Sequence, residues 1–216
     1  MKNYFAEAVG TFVLVFIGTG AIILHTQNEV SFNHLSVSLS FGLAVCAMIY
    51  AFARISGAHI NPAVSLAFWV NKQLAQKDLI PYLVAQCTGA LLASYCLKQL
   101  SPHHPSLGST LPQTGVFNTF MIEGFMSFLL MFLILMLSNR GTQSLHLPAI
   151  GIGACVALEA YFGGPFTGAS MNPARSLGPA LVSGRVESLW VYLLAPVLGM
   201  LVAVALYRAS NWNSTR

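Results

Sequence analysis

A chain of 216 residues that is 56% hydrophobic and only 7% charged falls outside the range of soluble domains, which carry about 25% charge. Its mean hydropathy is +0.69. The net charge of +4 reads as membrane topology rather than nucleic-acid binding, because of where the cations sit. Six apolar stretches reach the roughly 17–25 residues that a bilayer-crossing helix needs: 4–24, 35–53, 79–97, 117–137, 145–163 and 189–206. The first lacks a basic run and a clean cleavage site and recurs later in the chain, so it reads as retained rather than as a signal peptide.

Taken in order, one half is written twice. Span one has Glu7 followed by Thr11-Phe12, and span four has Glu123 followed by Ser127-Phe128 at the same spacing. After span two comes Ser56-Gly57-Ala58, then Asn61-Pro62-Ala63-Val64-Ser65. After span five comes Thr167-Gly168-Ala169, then Asn172-Pro173-Ala174-Arg175-Ser176. Spans three and six share Tyr82-Leu83, Ala85, Gly89, Leu91, Ala93 and Tyr192-Leu193, Ala195, Gly199, Leu201, Ala203. The offsets are 116 for the glutamates, 111 for the Asn-Pro-Ala motifs and 110 for the tyrosines, so this is an internal repeat. The halves cover about 1–100 and 117–216, with the polar segment 101–116 as linker, in one membrane domain.

Each half holds three spans, an odd number, so the second half must lie upside down relative to the first. Asn is a favoured helix N-cap and Pro a favoured first residue, so each Asn-Pro-Ala reads as a helix start. The runs 62–70 and 173–182 are too short to cross; end to end they reach about 28 Å, close to one hydrocarbon thickness. The expected fold is therefore an all-α membrane protein, six transmembrane helices plus two re-entrant half-helices in an inverted repeat. The approach segments 55–60 and 166–171 are expected to present carbonyls to a cavity, since irregular backbone at membrane depth is tolerated only there or inside protein. Gly89/Ala93 and Gly199/Ala203 let helices approach closely.

Lys2, Arg54, Lys72, Lys77, Arg140, Arg208 and Arg216 share one side, while loops 26–34 and 101–116 hold no Lys or Arg. The positive-inside rule then makes both termini cytoplasmic. Lys98 is near the outer end of span three and is expected to snorkel.

These residues resemble the aquaporin, or major intrinsic protein, family across essentially the whole chain. The resemblance rests on the paired motifs, on Glu7 and Glu123, on Ser-Gly-Ala-His-Ile-Asn-Pro-Ala-Val at 56–64 and on Gly-Ala-Ser-Met-Asn-Pro-Ala-Arg-Ser at 168–176. It implies a pore in every subunit, homotetramers in the cell membrane, and passage of water and small neutral solutes, with no cofactor, no metal and no nucleic-acid partner. It implies pore motifs Asn61, Pro62, Ala63 and Asn172, Pro173, Ala174. By spacing from these it implies a constriction of Phe41, Ala160, Ala169 and Arg175. Val64 occupies the position equivalent to Arg175, so the repeat does not need Arg for structure, and an intramembrane Arg is by default functional. Water-selective members place His where this chain has Ala160, which points to glycerol, urea or undissociated metalloid acids as further solutes. Ser176 and Ala180 stand where typical glycerol facilitators have Asp and Lys. The mixed signature resembles the nodulin-like and related bacterial members.

Glu7 and Glu123 are read as anchors of the two re-entrant loops, each accepting backbone N–H groups. His59 is either a pore-side loop residue or a packing histidine. Glu159 departs from the family pattern: an Arg175 contact, a loop contact and a water-filled vestibule are all open. Cys46, Cys87, Cys96 and Cys155 lie in spans without metal or disulfide spacing and read as packing residues. His103-His104 reads as a loop pair that binds nothing specific, and Asn213-Ser214-Thr215 as an acceptor sequence on the wrong side for glycosylation. A strictly water-selective channel and a proton-coupled transporter are the alternatives. An enzyme is not expected, for want of a catalytic constellation at midplane depth.

Overall fold

The computed structural model describes residues 1–27, 32–138 and 144–210. Arg140, Arg216 and Asn213-Ser214-Thr215 lie outside them. Eight α-helices follow one another: α1 (Lys2–Gln27), α2 (His34–Ser56), α3 (Pro62–Val70), α4 (Gln76–Leu100), α5 (Val116–Ser138), α6 (His146–Thr167), α7 (Pro173–Ser183) and α8 (Leu189–Ala209). Six are 21–26 residues long and apolar enough to cross a membrane; α3 and α7, of 9 and 11 residues, are not.

The sequence sets the helix ends. Asn33 caps α2 by accepting the Ser36 N–H, and α2 and α6 both stop at a glycine, Gly57 and Gly168, in the left-handed conformation. Ile55, Ser56, Phe166 and Thr167, which sequence reasoning assigned to the approach segments, are therefore still helical. The irregular backbone begins only at the two glycine caps. Asn61 and Asn172 cap α3 and α7, each with its side-chain oxygen on the Ala N–H two residues on and a proline at the first helical position.

The halves are built alike. In the first, α1 packs on α2 and α4; in the second, α5 packs on α6 and α8. A Cβ at Gly89 would collide with the Ala8 carbonyl, and one at Gly199 with the Gly124 carbonyl, so α1/α4 and α5/α8 run nearly backbone to backbone. The halves join through α2 against α6, and through half-helices that cross over: α3 packs on α4 and α8, α7 on α4, α8 and α1. Outward faces carry Phe5, Leu43, Ile80, Phe117, Phe125, Phe162 and Val202, all exposed, a surface suited to lipid.

The linker is not a loose tether. Leu107 is fully buried with Ile23 and Leu97, Thr110 bonds Ser176 at 2.8 Å, and Gln113 donates its N–H to Phe166 O at 3.1 Å. Lys98 Nζ donates to Pro102 O at 2.6 Å.

Candidate functional site

The two caps meet. Asn61 donates from Nδ2 to the Met171 carbonyl at 2.8 Å, and Asn172 donates from Nδ2 to the Ile60 carbonyl at 2.9 Å. Each asparagine thus bonds its own helix through the oxygen and the opposite loop through the nitrogen. A side-chain amide has two N–H donors, so the second N–H of each is left for the cavity both residues line. The half-helices abut tip to tip, and the positive ends of their dipoles converge on one point.

The loops that carry these tips are strained. Ala58, Ile60, Ala169 and Met171 all have positive φ, between 43° and 50°, a region that costs a non-glycine residue on the order of 1–3 kcal/mol. A buried carboxylate holds each loop in place. Glu7 Oε1 accepts the Ser56 hydroxyl at 2.6 Å and the His59 N–H at 2.9 Å, and Oε2 accepts the Ile60 N–H at 2.6 Å and Gln86 Nε2 at 2.8 Å. Glu123 Oε1 accepts the Thr167 hydroxyl at 2.7 Å and the Ser170 N–H at 2.9 Å, and Oε2 accepts the Met171 N–H at 2.9 Å. Two consecutive amides on one carboxylate form an anion nest. Tyr82 and Tyr192 add a hydroxyl on the Ser56 and Thr167 carbonyls.

A cavity of about 370 Å³ runs past these tips. Its lining includes Phe41, His59, Asn61, Ala160, Ala169, Asn172 and Arg175, with apolar walls from Leu14, Val45, Ile49, Leu130, Ile134 and Val156. All four residues assigned to the constriction by spacing thus share one lumen. The Arg175 guanidinium lies over the Phe41 ring, 4.9 Å from its centroid, within cation–π range. Its Nη1 donates to the Gly108 carbonyl at 2.8 Å, while Nε and Nη2 have no protein partner. These four residues bring a guanidinium, one aromatic face and two methyl groups to the same cavity.

His59 lines the lumen and is packed as well: its ring lies 4.7 Å from Phe68, and Nδ1 is 3.0 Å from Ser65 Oγ. Ala160 lines the cavity and Glu159 does not. Both Glu159 oxygens are buried without a hydrogen-bond partner, so neither the Arg175 contact nor the loop contact is present. Cys46, Cys87, Cys96 and Cys155 are free and partly buried. Among the described residues, no group of three or more His, Cys, Asp or Glu side chains could hold a metal ion.

Several supporting residues were missed. Gln86 bridges Glu7 and Ser65, whereas its repeat position holds Pro196. Ser176 is reached instead by Ser170, at 2.6 Å, and by Thr110 of the linker. Ser56/Thr167 and Ser65/Ser176 share the 111-residue offset of the motifs, and that offset could have found them. Gly108, Thr110 and the His104 turn carry no repeat signal. His104, read as binding nothing specific, is buried and bonded to Thr26 and Leu107.

A family model described as Major intrinsic protein matches residues 1–207. Relatives include Aquaporin NIP1-1 of Zea mays, 38% identical over 99% of this chain and 76% of its own length. Nodulin-26 of Glycine max is 37% identical over 99% of this chain and 79% of its own. Glycerol uptake facilitator protein-like 6 of Lactiplantibacillus plantarum is 37% identical over 94% and 95%. The X-ray structure of the aquaglyceroporin from Plasmodium falciparum superposes with a TM-score of 0.88 at 26% identity, covering 95% of this chain and 94% of that one.

Proposed function

Because the chain belongs to the major intrinsic protein family, we propose that it is a passive channel for water and for small uncharged solutes of the glycerol and urea class, closed to ions and protons. One observation carries this reading: both amide-tipped half-helices open onto the same lumen as Phe41, Ala160, Ala169 and Arg175.

Water in that lumen meets one free N–H from each of Asn61 and Asn172. A water whose oxygen accepts both bonds donates to its neighbours but accepts no proton from them, which breaks a proton wire at mid-membrane. The converging helix N-termini and the Arg175 charge add a positive potential against cations. Neutral solutes meet no such barrier. A polyol slides its carbon edge along Phe41, Ala160 and Ala169 while its hydroxyls face the Arg175 side of the lumen, so an amphipathic molecule replaces its hydration in one step.

The methyl group of Ala160 favours this reading over a strictly water-selective pore, which Phe41 taken alone would favour. Names among the relatives such as aquaporin, glycerol uptake facilitator and aquaglyceroporin support the wider range. No chemistry on the solute and no cofactor are required. Both termini lie in the cytoplasm and the channel sits in the cell membrane, given Lys2, Arg54, Lys72, Lys77 and Arg208 on one side and only Lys98 and Arg185 near the other. Subunits assemble as homotetramers through the exposed apolar helix faces.

The test is stopped-flow light scattering on proteoliposomes under parallel water, glycerol and urea gradients. Water permeability well above empty vesicles with glycerol above them is the expected result. Glycerol at the empty-vesicle level alongside fast water would return the strictly water-selective reading.

A further inference from the structure

Near its outer end, α6 carries a proline where the helix should continue. Pro165 lies inside α6, and a proline offers no N–H to the carbonyl four residues back. That carbonyl belongs to Tyr161, the neighbour of Ala160. The bond comes from α2 instead: His34 Nε2 stands 2.7 Å from Tyr161 O. A carbonyl only accepts, so the Nε2 hydrogen points at it. The surroundings are cut to fit the ring. A Cβ on Gly164 would come within 2.9 Å of His34 Cε1, and the His34 and Tyr161 rings pack with centroids 5.2 Å apart.

At the other end of the same seam, the repeat counterpart is built differently. His146 and Tyr50 stand 112 and 111 residues from His34 and Tyr161. His146 Nδ1 lies 2.9 Å from the Tyr50 hydroxyl rather than from a carbonyl. The position equivalent to Pro165 is Arg54, so α2 has a backbone N–H where α6 has none. Midway, Gly42 and Gly153 share the 111-residue offset. A Cβ on either would meet the other's carbonyl oxygen, at 2.5 and 2.7 Å. The two helices thus cross backbone to backbone, and a histidine ties them toward each end.

The outer tie bears on the lumen wall. Phe41 follows His34 by two turns on the same face of α2, about 10 Å along the axis, and Ala160 directly precedes Tyr161; both line the cavity. Other bonds hold this end of α6 as well. Thr167 donates to Glu123, and Phe166 O takes the Gln113 N–H. Those bonds run to α5 and the linker, whereas the one from His34 runs to α2.

We propose that His34 is a positioning residue for solute selection: its bond to the Tyr161 carbonyl sets how far the Ala160 wall stands from Phe41. The proposal rests on the channel reading above. A proline inside a helix removes one of the bonds that keep it straight, so the outer end of α6 takes its place from what lies beside it. Without the donor on α2, that end follows its remaining bonds toward α5 and the linker, and the lumen widens between Phe41 and Ala160. Glycerol then gains more than water, because water already fits.

The experiment measures water and glycerol permeability of proteoliposomes for wild type, His34→Phe, His34→Ala, His34→Gln and Tyr50→Phe, with the melting temperature of each in detergent. Phe keeps a ring and loses the donor; Gln offers an amide N–H near the Nε2 position. The glycerol-to-water ratio is expected to rise about threefold in His34→Phe and His34→Ala, less than the tenfold that a whole methylene is worth in a sizing pocket. His34→Gln should keep the wild-type ratio, and so should Tyr50→Phe, which cuts the tie at the inner end. A role in stability alone would lower the melting temperature and leave the ratio where it was. An unchanged ratio in His34→Phe, whatever its melting temperature, would therefore overturn the proposal, as would a ratio raised equally in His34→Gln or Tyr50→Phe. Wild type at the empty-vesicle level for both solutes would instead overturn the channel reading beneath it. Either donor-less variant decides the matter where the other does not assemble.

Discussion

At the scale of single residues, the lining of the cavity is asymmetric because one position of the repeat was filled differently in each half. Val64 and Arg175 are equivalent by offset, yet only Arg175 brings a charge to the lumen, stacked on Phe41 and braced by Gly108. Ala160 faces the same space. Ala160→His would add a donor and remove free width. Its glycerol permeability is expected to fall by about tenfold or more, while water stays within about twofold, since added bulk in a sizing pocket discriminates on that scale. Parallel swelling traces measure both. Phe41, Ala160, Ala169 and Arg175 were chosen by their distance to the Asn-Pro-Ala motifs, and all four line the same cavity; their role as a constriction belongs to the proposed function. The brace on Arg175 was not legible, because a backbone carbonyl from a distant linker leaves no mark in residue type. The bonds of His104 to Thr26 and Leu107 were not legible for a related reason: in sequence it looks like any loop histidine.

At the scale of elements, the re-entrant loops are held by side chains rather than by secondary structure. Ile60 and Met171 keep left-handed backbone because Glu7 and Glu123 hold their amides. Glu123→Ala removes the acceptor of the Ser170 and Met171 N–H groups and of the Thr167 hydroxyl. At roughly 1–3 kcal/mol for each buried group left unpaired, several kcal/mol of stability should be lost, read as a lower melting temperature of the detergent-solubilised protein. Glu123→Gln, which keeps one acceptor oxygen, should fall between. The eight helices and the caps of α3 and α7 were readable from apolar runs and from Asn-Pro. The helix ends at Ser56 and Thr167 were placed too early, because the glycine caps rather than the small residues before them stop α2 and α6. Gln86 escaped notice because Pro196 breaks the repeat at that point.

At the scale of the whole molecule, an odd number of spans per half forces the inversion, and the charge distribution supports the proposed orientation. In the proposed orientation, residue 103, exposed in the linker, is expected to face outside. His103→Cys, in a background where Cys46, Cys87, Cys96 and Cys155 are replaced by Ala, should react with a membrane-impermeant maleimide in intact cells; labelling only after lysis would reverse the orientation. The crossed bonds between Asn61 and Met171 and between Asn172 and Ile60 bear on how the chain is made. While the ribosome has delivered only the first three membrane helices, the Ile60 carbonyl and the Asn61 amide wait without their eventual partners at a depth where lipid offers none. Closure of the centre must therefore wait until the second loop and α7 have been made, and a nascent chain arrested in the linker is left with an unfinished middle for quality control to find.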